Sequence, residues 1–294
     1  MSARMLVLVN AVAGTGSGPD AIGEAFARCD LTPTIRPLNE GTIARLARGE
    51  GDAWDVVVAA GGDGTVASVA HALIGRRAAL GVLPTGTLNH FARDLGLPLE
   101  LPAAVAAVRS GVVRVIDVGE VNGRIFINNS SVGLYPSLLQ ERDRERRTRG
   151  RRKYPAMAVA MARAVRRFPN HRVRLAIGGK RFAPLVPFVF VANNGYSWKH
   201  ADFARRPNLD GGRLYCYVPP RSGRRAIARL MAAWLFDRVR HPEELVALPV
   251  ERLQLDAAAR SLAVALDGEV FELTPPLKFR IRHRALRVIV PDAA

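Results

Sequence analysis

A chain of 294 residues, 49% hydrophobic and with few low-complexity stretches, can bury one large or two ordinary cores, which excludes a disordered class. Its formal charge of +17 points to a polyanionic partner, either nucleic acid or an anionic membrane. Only Cys29 and Cys216 occur, far apart, and the six histidines lack zinc spacing; this excludes a disulfide framework and suits a reducing cytoplasm.

The first segment, Met5-Leu6-Val7-Leu8-Val9, reads as a buried strand that ends on Asn10-Ala11-Val12-Ala13-Gly14. Arg4 and the small residues after the strand mimic an export signal, but the apolar core is short and Asn10 interrupts it. Strand and helix patterns then alternate: helix 19–28, strand 34–38, helix 42–48, strand 54–59, helix 65–75, strand 79–83 and helices 87–94 and 101–110. This βαβ order predicts a Rossmann-like parallel α/β domain over 1–118.

Within it, Ala60-Gly61-Gly62-Asp63-Gly64-Thr65 carries the chemistry. A strand, a glycine turn and a helix N-terminus together make an anion site, because backbone N–H groups and the helix dipole favour negative charge. Asp63 in that turn repels a bare phosphate, so a bridging divalent cation is expected. Ordinary turns also use Gly-Gly-Asp-Gly, but two further strand-end loops support the phosphate reading. These are Asn10 to Gly14 and Pro84-Thr85-Gly86-Thr87-Leu88-Asn89. Thr65 and Thr87 are each expected to serve as helix N-caps as well.

From Arg114 the period changes to two. Asn122-Gly123, Gly178-Gly179 and Asp267-Gly268 signal hairpins, and helical insertions are expected at 153–168 and 223–240. Residues 119–294 therefore read as an antiparallel β domain. Spacing alone makes Asp267-Gly268 a hairpin turn that needs no chemistry. The run 141–153 holds eight basic and three acidic residues and precedes the apolar stretch from Tyr154 to Met161. Cations beside apolar residues suit an anionic bilayer, at about 1 kcal/mol each, whereas no aromatic reader motif suggests nucleic acid. No run approaches a membrane span; the longest, 183–192, carries two prolines.

Taken in order, Asn10 to Gly14, Gly61-Gly62-Asp63-Gly64-Thr65, Leu83-Pro84-Thr85-Gly86-Thr87-Leu88-Asn89-His90-Phe91-Ala92-Arg93, Asn208-Leu209-Asp210-Gly211-Gly212-Arg213-Leu214 and Leu266-Asp267-Gly268-Glu269 resemble the diacylglycerol kinase catalytic family. That family includes sphingosine kinases and bacterial YegS-type lipid kinases. The resemblance implies a C-terminal β-sandwich lipid-binding domain and phosphorylation of a lipid hydroxyl with ATP and magnesium. It implies nucleotide contacts from Asn10, Gly14, Gly62, Asp63, Gly64, Thr65, Gly86, Thr87 and Glu269. Asp267 or Asp63 would be the catalytic acid-base residue, with Asp63 and Asp210 as metal ligands. Ala67 and Ser68 stand where the family has Asn-Glu, His90 where it prefers Asp, and Gly211 where its second Asp falls. The expected partners are ATP, a lipid substrate and an anionic membrane met through the Arg-rich 142–153 segment; a homodimer is compatible. The expected location is cytoplasmic and peripherally membrane-associated. Rival readings are an NAD kinase-like soluble nucleotide kinase and a non-catalytic membrane-binding protein.

Overall fold

The structure is a computed structural model, and it describes residues 3–10, 18–133, 135, 136, 139, 171–183, 185, 186, 188–197, 205–219 and 246–292. The chain forms two compact units, one of Met1–Val118 with Arg282–Ala294, the other of Gly119–Ile281. The sequence pattern assigns 1–118 to the first domain and 119–294 to the second. The structure returns the last residues to the first unit, because the end of the final strand pairs in parallel with a strand there, Val288 opposite Leu80.

In the first unit, β1 (Met5–Val9), β2 (Thr34–Pro37), β3 (Val56–Gly61) and β4 (Ala79–Pro84) lie side by side in the order β2-β1-β3-β4, all parallel. Helices α1 (Pro19–Ala27), α2 (Glu40–Ala47), α3 (Asp63–Leu73), α4 (His90–Asp94) and α5 (Leu101–Ser110) connect them. Strands β1, β3 and β4 are apolar runs rich in Val, Leu and Ala and almost wholly buried on both faces, the pattern of a sheet covered by helices, while the edge strand β2 is partly exposed. Val7, Val58 and Leu83 meet Phe26 of α1 and Val105 of α5 in one core. Strand order reverses between β1 and β3, so loops at the carboxyl ends of these two strands border a topological switch point.

The second unit is an antiparallel sandwich. It contains β6 (Arg124–Phe126), β7 (Asn129–Gly133), β8 (His171–Ile177), β9 (Lys180–Phe182), β10 (Leu185–Val186), β11 (Phe188–Asn193), β12 (Leu214–Val218), β13 (Val246–Val250), β14 (Arg252–Ala257), β15 (Leu262–Leu266) and β16 (Glu269–Leu273). The unit boundary falls inside β5 (Val112–Val121) and β17 (Leu277–Val290). One sheet runs β13-β12-β11-β7-β15-β16; the other includes β10, β8, β14 and β17. Val132, Val191 and Val264 from the first sheet pack with Leu175, Leu253 and Phe279 from the second in a single core. Cys216 belongs to that core, and burial pushes its thiol up to about 12, as befits a small apolar residue. The three hairpin signals hold: Asn122-Gly123, Gly178-Gly179 and Asp267-Gly268 all have φ between 46° and 90°, so every one is a two-residue turn with both φ positive. The expected helical insertions at 153–168 and 223–240 lie outside the described residues.

Candidate active site

Three loops of the first unit meet at the start of α3. Asn10, directly after β1, donates its side-chain amide to the Thr65 hydroxyl at 3.0 Å. Asn10 is also tied to β3, its backbone N–H donating to the Ala60 carbonyl at 3.1 Å. The β3 and β4 loops touch through glycines, since a Cβ on Gly86 would lie 2.3 Å from the Gly62 Cα. Asp63 accepts the Phe91 backbone N–H at 3.1 Å, fixing the first turn of α4 to the first turn of α3. Asn10, Gly62, Asp63, Gly64, Thr65 and Gly86 are thereby brought together. Gly14 lies outside the described residues.

Two of the expected caps differ from the sequence reading. Helix α3 starts at Asp63 with Gly62 at its N-cap and no side-chain cap, so Thr65 sits inside the first turn and is buried. The first-turn N–H groups of α3 therefore have no intrahelical acceptor, the arrangement that favours an anion. Thr87 is exposed and precedes the true cap of α4, Asn89, whose φ is 52°. The helix begins at His90 rather than at 87 because Asn89 holds the preceding turn. Its side chain accepts the Gly86 N–H and donates to the carbonyls of Pro84 and Gly86. Asn89 is thus the organiser of the third loop, and its buried amide was visible in the sequence only as part of a longer string.

In the second unit, Asp267 is more than a turn residue. Its carboxylate accepts the backbone N–H groups of Ile127 at 2.8 Å, Asn128 at 2.8 Å and Asn129 at 3.1 Å. Oδ1 takes two of these donors and Oδ2 one, leaving one of about four acceptor positions on Oδ2. Removal from water pushes this carboxyl above its ordinary value, against the three N–H donors and the Arg206 charge, which pull it down.

Arg206 is the residue that sequence reasoning missed. Its buried guanidinium donates to the carbonyls of Ile127 and Asn193 and to the Asn128 side chain, at 2.6, 3.0 and 2.7 Å. Asp267 and Arg206 hold the same short segment, one by its N–H groups and the other by its carbonyl. No local signal separates Arg206 from the many solvated arginines of this composition. Glu269 is exposed at the start of β16.

The donors present suit magnesium at one place and not at another. Among the described residues no three His, Cys, Asp or Glu side chains cluster. Asp63 offers one oxygen beside the one that takes the Phe91 N–H, which fits an ion arriving on nucleotide phosphates with most of its waters. Asp210 is exposed, its N–H turned back onto the Asn208 side chain at 3.0 Å. A Cβ on Gly211 would lie 2.9 Å from the Asn194 amide oxygen, so an aspartate there, as in the family, would have to displace the Asn194 side chain. The donors at Asp210 do not fit a protein-made magnesium cage.

A parallel α/β unit whose three strand-end loops meet at an uncapped helix N-terminus, and an antiparallel sandwich unit, define a two-part α/β-plus-sandwich fold. Residues 4–121 match the family model described as the diacylglycerol kinase catalytic domain. Residues 131–290 match the YegS C-terminal NAD kinase beta sandwich-like domain. The chain belongs to the diacylglycerol kinase family. It is 28% identical over 242 residues to the diacylglycerol kinase of Bacillus subtilis strain 168, covering 81% of this chain and 78% of that one. It is 52% identical over 82 residues, 27% of each chain, to the Pseudomonas aeruginosa PAO1 protein named "Probable lipid kinase YegS-like". The crystal structure of a diacylglycerol kinase from Bacillus anthracis strain Sterne superposes with a TM-score of 0.72, at 19% identity over 99% of this chain and 97% of that one. That likeness shows the fold. The chain is a kinase of a lipid kinase family, and no helix among the described residues is long and apolar enough to cross a membrane.

Proposed function

We propose that this protein transfers the γ-phosphoryl group of ATP, with magnesium, to a hydroxyl of a membrane lipid such as diacylglycerol or a sphingoid lipid. The observation that carries this reading is the meeting of three strand-end loops at an uncapped helix N-terminus, through Asn10–Thr65, Gly62–Gly86 and Asp63–Phe91. Phosphoryl transfer is mostly positioning and electrostatic stabilisation, so a rigid cradle of N–H groups is its main requirement. In this reading Gly62, Gly64 and Gly86 let the backbone approach the phosphates, with Gly14 and Thr87 beside them. Bound magnesium offsets the phosphate charge, held by Asp63.

Asp267 is assigned as the base that takes the proton of the attacking hydroxyl. Its carboxylate is oriented by three N–H donors, keeps one acceptor position, and has a raised pKa, all of which suit a proton acceptor. Glu269 contacts the nucleotide in the same reading. The first unit carries the nucleotide and the second unit the lipid, with the enzyme acting at the cytoplasmic membrane surface. The Arg-rich 142–153 segment assigned to that surface lies outside the described residues.

The test is incubation of the protein with labelled ATP, magnesium and a lipid extract, with the labelled product identified by mass spectrometry. A phosphorylated lipid is expected. Label appearing in a soluble dinucleotide, with no dependence on lipid, overturns the proposal in favour of an NAD kinase-like activity.

A further inference from the structure

The second unit has a solvent-facing sheet surface made of cations. Alternation along β8, β14 and β17 sends Leu175, Leu253, Leu255, Leu277 and Phe279 into the sandwich core. Arg174, Arg252, Gln254, Lys278 and Arg280 consequently share the opposite face, and all five are exposed. Register places Arg252 beside Arg280, Gln254 beside Lys278, and Asp256 beside Arg174. Arg181 of β9 joins them opposite Ala176.

Two carboxylates face this surface: Asp256, 3.2 Å from Arg174, and the buried Glu120, 2.7 Å from Arg280. Among the described residues no acidic side chain pairs with Arg181, Arg252 or Lys278. Like charges directly opposite one another on a sheet weaken it, so Arg252 beside Arg280 brings folding no benefit.

We infer that this face docks on an anionic phospholipid bilayer. The inference rests on the lipid kinase reading, which places the substrate in a membrane. A sheet with strands about 4.8 Å apart presents its cations as a nearly flat array, matching a plane of headgroups. A protein partner would call for aromatic or other apolar anchors, and single-stranded nucleic acid for aromatic stacking platforms. Among the described residues of this face in the second unit the apolar side chains are Ala176 and Ile125, and Ile125, opposite Glu120, is buried and offers no anchor. Charge complementarity to diffuse headgroup anions is what remains, at roughly fivefold in partitioning per cation.

The test compares the full chain with the triple variant Arg181→Gln, Arg252→Gln, Lys278→Gln in cosedimentation with mixed phosphatidylglycerol–phosphatidylcholine vesicles. The variant should bind about a hundredfold more weakly and lose turnover on vesicles. Its turnover of detergent-dispersed diacylglycerol should be unchanged, which also shows that it folds. Asp256→Asn, which removes a negative charge from the same face, should bind more tightly. Equal cosedimentation of the wild type and the triple variant overturns the docking face, as does wild-type binding that is no weaker to pure phosphatidylcholine. Absence of turnover in detergent by the wild type instead removes the kinase reading, so the two fail separately.

Discussion

Gly62 and Gly86 touch backbone to backbone, close enough that a Cβ on Gly86 would sit 2.3 Å from the Gly62 Cα and 2.8 Å from the Asn89 side-chain oxygen. The contact is asymmetric: a Cβ on Gly62 would lie 3.4 Å from the Gly86 Cα, an ordinary distance, at a φ of −84°. The two glycine loops therefore form one object, and each glycine has a separate reason to be there.

Gly86→Ala should accordingly destabilise the protein by about 1–3 kcal/mol, since backbone must move to admit the methyl. Gly62→Ala should melt near the wild-type temperature yet bind ATP more weakly, because the methyl narrows the phosphate approach. Thermal melts and ATP titration check both. Equal melting of the two variants would contradict the asymmetry.

Asp63→Asn should fold normally, because the amide oxygen still accepts the Phe91 N–H. Phosphoryl transfer should fall by orders of magnitude as the charge that holds the cation disappears. The measurement is turnover of detergent-dispersed diacylglycerol across a magnesium titration. Near-wild-type turnover would remove Asp63 from the site.

Asp267→Asn sets an amide N–H against the Ile127 N–H, so it should cost about 1–3 kcal/mol of stability while leaving ATP affinity intact. The pH profile separates base from turn. If Asp267 is the base, kcat/KM rises with pH through a pKa above about 3.9, and the variant loses that limb. Stability has the opposite slope. A carboxyl raised on folding binds more protons folded than unfolded, so its contribution falls as pH climbs from about 3.9 through the folded pKa. A variant that changes stability alone leaves Asp267 as a structural staple.

Arg206→Met should cost about 3–5 kcal/mol, because it strands three buried acceptors and removes a buried charge. Any remaining activity should show its ascending limb shifted to higher pH, since the Arg206 charge no longer holds Asp267 down. Arg206→Lys should leave the limb near its wild-type position. An unmoved limb in Arg206→Met would confine Arg206 to packing.

The sequence by itself determined the elements whose causes are local. Val and Leu runs bounded by glycine turns became β1, β3 and β4, and the Asn-Gly, Gly-Gly and Asp-Gly pairs became turns because only such residues accept two successive positive φ values. The first-unit site was legible for the same reason, each loop being named by its own strand end. Tertiary structure alone decided that the final strand returns to the first unit, that α4 waits for His90, that Asp267 ties a segment 138 to 140 residues away, and that Arg206 is buried beside it. The strand's return is backbone pairing with β4, the α4 start is set by the Asn89 turn, and Asp267 and Arg206 bond backbone they meet only after folding. Such bonds leave no period, turn residue or composition in the stretch of chain that makes them.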